Sequence, residues 1–252
     1  MKKSLIAASL VLASVGSVGT AQADVIFGVY GGAQYWDTEV EGGFGSSTDQ
    51  QRFAFNDENQ NSFYIAVEHP IPLIPNVMLR QSDLITSGAT TLTSEFEFNG
   101  QTYTANTNLN ADLDLSHTDY TLYYEIFDND LLSIDLGVTG KRFDGFAQVR
   151  AEDGSVNSLD LSGWVPTAYG HVRVGIPATA VTLYAKGNFL AIDDSSLRDV
   201  EAGIEYRVIE NLAVDVNVQL AYRDATLELE DVDSLYSDLS FKGPYLGVEI
   251  HF

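Results

Sequence analysis

Few side chains in this 252-residue sequence are spaced for chemistry. His117 and Asp119 stand two residues apart, so on a strand they share one face, and an imidazole beside a carboxylate is a pairing that can activate water. Asp112 and Asp114 precede them, a second acidic pair that could belong to a hydrolytic rim. No matching motif stands elsewhere in the chain. There is no Gly-x-Ser-x-Gly nucleophile elbow, and the absence of cysteine removes a thiolate nucleophile, a thiolate metal site and a disulfide framework. A solvated rim is the stronger reading of the pair, and no catalytic, cofactor or metal residue is assigned. Of the remaining histidines, His69 lies at a turn, His171 shares a strand face with Arg173, and His251 precedes the last residue. Each suits a turn or an interior position better than a catalytic one.

A second set of residues recurs along the chain. On the polar parity of successive alternating stretches fall the cations Arg80, Lys141, Arg173, Lys186, Arg207 and Arg223. The same parity carries the carboxylates Glu68, Asp119, Glu125, Asp135, Asp199, Glu201, Glu205, Asp215 and Glu249. Mixed charges of this kind fit a closed polar interior, where an unpaired carboxylate would be costly. Other acidic residues gather between the stretches: Asp37, Glu39, Glu41, Asp49, Asp57 and Glu58 early, and Glu228, Glu230, Asp231, Asp233 and Asp238 late. Such oxygens can hold Ca²⁺ or Mg²⁺ weakly and bridge lipid phosphates. Their spacing lacks the glycine of an EF-hand loop, and a solvated, repulsive surface is the stronger reading.

The elements that must carry these residues are strands. From Val25 onward the apolar residues recur with period 2, the strand signature. Ten such stretches can be traced, around 25–37, 61–68, 77–82, 118–126, 132–141, 164–174, 181–189, 199–208, 212–223 and 246–252. Their links alternate between short and mostly long, as in an up-and-down meander with two unlike ends. Asn99-Gly100, flanked by alternating residues, predicts a hairpin within the second long link. The apolar parity collects aromatics near stretch ends: Tyr35, Tyr120, Tyr124, Trp164, Phe189, Tyr206, Tyr222 and Phe252. Aromatic girdles of this kind sit at bilayer interfaces, so the apolar face is expected to point outward and the charged face inward. The expected fold is therefore all-β: an antiparallel, up-and-down transmembrane barrel, ten strands favoured, with eight or twelve as alternatives.

Composition agrees with an exported barrel. The formal charge is −23, from 36 Asp+Glu against 13 Lys+Arg, which argues against nucleic-acid binding. Lys2-Lys3, an apolar run from Leu5 to Val18 and Ala21-Gln22-Ala23 are the three parts of a secretory signal peptide. Cleavage is expected between Ala23 and Asp24, leaving 1–23 as leader and 24–252 as barrel.

Phe27-Gly28-Val29-Tyr30-Gly31-Gly32 on the first strand, Glu68-His69-Pro70-Ile71-Pro72-Leu73-Ile74-Pro75-Asn76 at the first turn, and a last strand ending in Phe252 resemble a family of small Gram-negative outer-membrane barrels named for its Gly-Gly pair. The resemblance covers essentially the whole exported chain. It implies a place in the outer membrane, lipid and lipopolysaccharide as surroundings, and recognition of the last strand by the barrel-assembly machinery through Leu246, Val248, Ile250 and Phe252. It implies no substrate. The expected role is a non-enzymatic structural barrel or a narrow pore for small solutes, without cofactor. The rival readings are a rim-active hydrolase around His117 and Asp119, by analogy with omptin-type proteases, and a ligand-binding or adhesive barrel acting through acidic outer loops.

Overall fold

The computed structural model describes residues 27–129, 131–211, 213–232 and 235–252, so the expected leader and the Ala23–Asp24 bond lie outside the described residues. Sixteen strands follow in order: β1 Gly28–Gly45, β2 Gln51–Arg52, β3 Ala54–Phe55, β4 Glu58–Glu68, β5 Asn76–Ser82, β6 Ile85–Thr91, β7 Phe96–Phe98, β8 Gln101–Tyr103, β9 Asn108–Asp114, β10 His117–Asp128, β11 Leu132–Ala151, β12 Val156–Gly175, β13 Val181–Ile192, β14 Ser195–Glu210, β15 Asp215–Val232 and β16 Leu235–His251.

Ten of them close a barrel. Each of β1, β4, β5 and β10 through β16 pairs antiparallel with the next, and β16 returns to β1, where Tyr30 faces His251. Closure removes the open edges that a bilayer cannot solvate. The ten-strand count is the one predicted from periodicity. The twelve-strand alternative fails because β7 and β8 pair only with each other and stand off the barrel wall. Their turn has the geometry that Asn-Gly favours, with Asn99 at φ 46° and Gly100 at φ 74°.

On β1 and β15 the same parity points inward throughout, but the character of each face changes partway along. On β15, Val218, Leu220 and Tyr222 point outward while Asn217, Gln219 and Arg223 are buried inside. Beyond Arg223 the inward parity turns apolar and the outward one polar: Ala225 is buried inside, Leu227 and Leu229 pack against the same apolar core, and Glu228 and Glu230 are exposed. On β1, Tyr35 points outward, and beyond it Trp36, Val40 and Phe44 are buried while Asp37, Glu39 and Glu41 are exposed. The lower half thus has an apolar exterior and a polar interior, the arrangement a bilayer requires. The upper half is built like a soluble protein around a dry core.

That upper half departs from the sequence expectation of long loops. The segments 144–163 and 225–240 are mostly strand among the described residues, continuing β11, β12, β15 and β16 beyond the belt, with a turn between β11 and β12. The early acidic residues Asp37, Glu39 and Glu41 lie on the solvent face of β1 rather than in a loop. The second long link forms β6 and β9 as well as the hairpin, and β9 takes over from β10 as the neighbour of upper β11, followed by β6 and β3. Phe96, Phe98 and Tyr103 of the hairpin join Trp36, Phe44 and Phe241 in the core. The Asn99 amide reaches Asn157 Oδ1 at 3.1 Å and the Ser158 carbonyl at 3.0 Å, while its backbone N–H donates to Ser46 at 3.0 Å. The hairpin is therefore tied both to β12 and to the segment leaving β1, as a cap over the outer mouth.

Candidate functional site

Inside the belt, inward side chains from neighbouring strands stack in charged layers. Uppermost, Lys141 on β11 faces Asp119 on β10 in register. Its Nζ donates to Asp119 Oδ2 at 2.8 Å, to Asp199 Oδ2 at 3.0 Å and lies 3.3 Å from His117 Nε2. Arg223 clamps Asp199 from the other side with two bonds, 2.8 Å to Oδ1 and 2.9 Å to Oδ2. Paired, charge-assisted bonds of this geometry make burial of these charges tolerable.

The next layer centres on Glu201. It pairs with Lys186 at 2.8 Å and Arg80 at 3.3 Å and accepts the Tyr245 hydroxyl at 3.0 Å. Tyr184 and Tyr245 share a hydrogen bond, and Arg80 also donates to Gln34 at 2.6 Å. Below it, Arg173 donates to Glu205 at 2.6 Å and lies 3.7 Å from Glu249, whose other oxygen accepts the Tyr64 hydroxyl at 2.5 Å. The Tyr64 ring covers Gly32 so closely that any Cβ there would collide with it. The absence of a side chain at Gly32 gives this interior tyrosine room against the strand.

The upper layer seals the lumen. Lys141 and Arg223 are 1% exposed, and Trp36 and Tyr245 are 2% exposed, so solvent reaches them from neither mouth. At the inner end, by contrast, a chamber of about 550 Å³ opens between the short turns. Tyr30, Tyr64, Tyr123 and Tyr169 line it together with Glu68, Glu125 and Asp135.

Not every residue of the expected interior network joins it. Arg207 stays in register with the inward Asn217 and lines the inner chamber, but it pairs at 2.8 Å near the rim with Glu210 of its own strand. Asp215 lies 4.0 Å from His251 rather than beside an arginine. Glu68 accepts the Tyr123 hydroxyl at 2.8 Å and Glu125 the Asn76 amide at 3.4 Å, neither meeting a Lys or Arg among the described residues. Asp135 pairs with His171 at 3.2 Å. Phe252 closes the seam, its backbone exchanging bonds of 3.1 and 2.9 Å with Val29.

The His117–Asp119 couple does not stand at an open rim. Its closest approach is 3.9 Å, the Lys141 ammonium contacts both residues, and both are buried under Leu84, Leu115 and Phe143. The upper barrel that buries the couple was not part of the sequence expectation. Among the described residues, His117, Asp119 and Asp199 also form the one group of three potential metal ligands that converge, and Lys141 already supplies the cation there. The acidic residues of the cap form no such group among the described residues.

The interior tyrosines fall outside the expectation that places aromatics in the girdles. Parity was the signal that could have found them: Tyr64, Tyr123, Tyr169 and Tyr184 all fall among the polar residues of their strands.

No family model matches the chain, and no curated protein does. Among solved structures, the chain is similar to the outer membrane protease OmpT from Escherichia coli, at 9% identity over 89% of this chain and 96% of that one, with a TM-score of 0.43. It is also similar to the transport unit of the autotransporter AIDA-I from Escherichia coli, at 10% identity over 93% of each chain and a TM-score of 0.38. A third is Ail, the attachment invasion locus protein of Yersinia pestis, at 9% identity over 90% and 99%, with a TM-score of 0.36. Likeness at this level does not bear on what the chain does. What it is rests on its own geometry: a closed ten-stranded antiparallel barrel, apolar outside and charged within, sealed at one end.

Proposed function

We propose that the chain is an integral outer-membrane protein of a Gram-negative bacterium, exported by a cleaved leader, and that it serves as a sealed, non-enzymatic barrel. The observation that carries this reading is the belt. Phe63, Val138, Leu220 and Leu246 are each more than half exposed on the outside of a closed sheet whose inside is ionic. A continuous band of this kind is unfavourable in water and favourable in hydrocarbon. Membership of the Gly-Gly family belongs to the same proposal, supported by the first strand and the Pro-rich turn.

Of the two roles expected, a structural barrel is favoured over a pore by the buried layer at Lys141 and Arg223. A hydrolytic role is disfavoured by the burial of His117 and Asp119. Fractionation with a heat-modifiability gel tests the location, and recovery as a freely soluble protein would refute it. Planar-bilayer recording of the refolded chain tests the seal, with no steady conductance expected. A stable, large conductance from the unmodified protein would refute it.

A further inference from the structure

The inner chamber carries charge that the barrel leaves unmatched. Three cations line it, and each already has a carboxylate: Arg173 has Glu205 at 2.6 Å, Lys186 has Glu201 at 2.8 Å and Arg207 has Glu210 at 2.8 Å. The opposite holds for one stretch of wall. Glu125 on β10 and Asp135 on β11 face each other across the ladder, the placement in which like charges repel most. Glu68 on β4 lies close by, linked to the same wall through the Tyr123 hydroxyl. Their partners are hydroxyl, amide and imidazole groups, with no lysine or arginine among the described residues.

A second observation points the same way. Tyr169 is only 5% exposed, lines the chamber beside Tyr123, and its hydroxyl has no hydrogen-bond partner among the described residues. A mostly buried tyrosine whose unpartnered hydroxyl reaches the chamber rather than lying fully enclosed is positioned for something inside the cavity. The barrel also supplies its own template for what that could be. The Lys186 ammonium sits 5.3 Å from the centroid of the Tyr64 ring while it pairs with Glu201, so a tyrosine face and a carboxylate together hold an alkylammonium at the chamber wall.

We propose that the chamber is a binding site for a small organic ammonium ion, a mono- or diamine entering from the inner mouth. The carboxylates of Glu68, Glu125 and Asp135 would take the ammonium groups, Tyr123 and Tyr169 the alkyl chain, and the Tyr169 hydroxyl a further N–H. An extended cation fits better than a metal ion for two reasons. The space is about 550 Å³, and these carboxylates are not among the groups that converge on a single point. The site does not depend on membrane location, so it can be tested on the full chain refolded in detergent.

The experiment is isothermal titration calorimetry with 1,4-diaminobutane, alongside Mg²⁺ and the isosteric neutral 1,4-butanediol, with thermal melts in parallel. Saturable binding of the diamine, and a melting temperature raised by it, are expected, with no comparable response to Mg²⁺ or the diol. Glu125→Gln should weaken diamine binding about tenfold through loss of a charge-assisted contact. The same substitution relieves the repulsion with Asp135, so the unliganded melting temperature should hold or rise, which separates a lost site from a lost fold. Tyr169→Phe should weaken binding about threefold with its fold intact. Absence of diamine binding, equal binding of Mg²⁺ or the diol, or undiminished binding by Glu125→Gln would overturn the proposal.

Discussion

The Arg223 guanidinium lies over the indole of Trp36, 4.6 Å from its centroid, and this contact is where the ionic lumen meets the apolar cap. Trp36 also donates its indole N–H to the Gly243 carbonyl at 3.1 Å, so its position is fixed by the opposite side of the seam. Arg223 is thereby shared between two environments, a carboxylate below and an aromatic face above. With a further bond of 3.4 Å to the Ser62 hydroxyl, three partners converge on one side chain buried from solvent.

The two parities of β15 should respond differently to the same cation. Leu220→Arg places a charge in the middle of the belt and should cost roughly 2–4 kcal/mol of folding stability in a bilayer. Asn217→Arg points into the inner chamber beside Glu249, 3.4 Å from the native amide, and should be milder. Urea titration in lipid vesicles measures both; equal tolerance would mean the faces are wrongly assigned.

Lys141 is the keystone of the upper layer. Lys141→Met leaves Asp119 buried without a cation and should destabilise by about 3–5 kcal/mol. Adding Asp119→Asn removes the stranded charge and should recover part of that loss. If the double variant is no more stable than the single one, the ion pair does not act as drawn.

Arg207 and Arg223 were expected in one network and now separate. Arg223→Ser should cost about 3–5 kcal/mol as a broken buried pair, whereas Arg207→Ser should cost less than about 1 kcal/mol as a largely solvated one. Comparable losses in denaturant midpoint would contradict the difference in burial between the two pairs.

Gly100 tests the cap hairpin. Its φ of 74° disfavours any side chain, although open space surrounds the position where a Cβ would sit. Gly100→Ala should therefore cost about 1–2 kcal/mol through the backbone alone. The effect should be confined to faster hydrogen exchange in β7 and β8, with the belt unchanged. Exchange at the wild-type rate would mean that this turn does not hold the hairpin.

The belt was legible because one rule governs it: with lipid outside, every second residue must be apolar, and Leu132 through Lys141 or Val214 through Tyr222 follow that rule without interruption. The cap obeys the same periodicity, as Leu109, Ala111, Leu113 and Leu115 show, but with the opposite sense. Alternation alone carries no information about which side is wet, and the acidic residues between apolar positions read as loop. The interior charges were legible by parity, whereas their individual partners were not. Arg207 shows why: parity places it inside beside Asn217, yet its carboxylate partner is Glu210, three residues on in the same strand. The buried state of His117 was not readable either, since it depends on β6 and β9 covering a mouth that ten strands alone would leave open.

The change from an apolar to an acidic outer face along the strands has a further consequence, for the height at which the barrel floats. A barrel with uniform walls could slide along the membrane normal to suit a thicker or thinner bilayer. Here, sliding inward would draw Asp37, Glu39 and Glu41 into hydrocarbon, one residue after another on the same exposed face of β1. Sliding outward would strand Tyr35 and Tyr222 in water and pull the inner turns into lipid. The position along the normal is therefore a property written into each strand, and a mismatch in thickness must be met by the lipid deforming around a rigid ring.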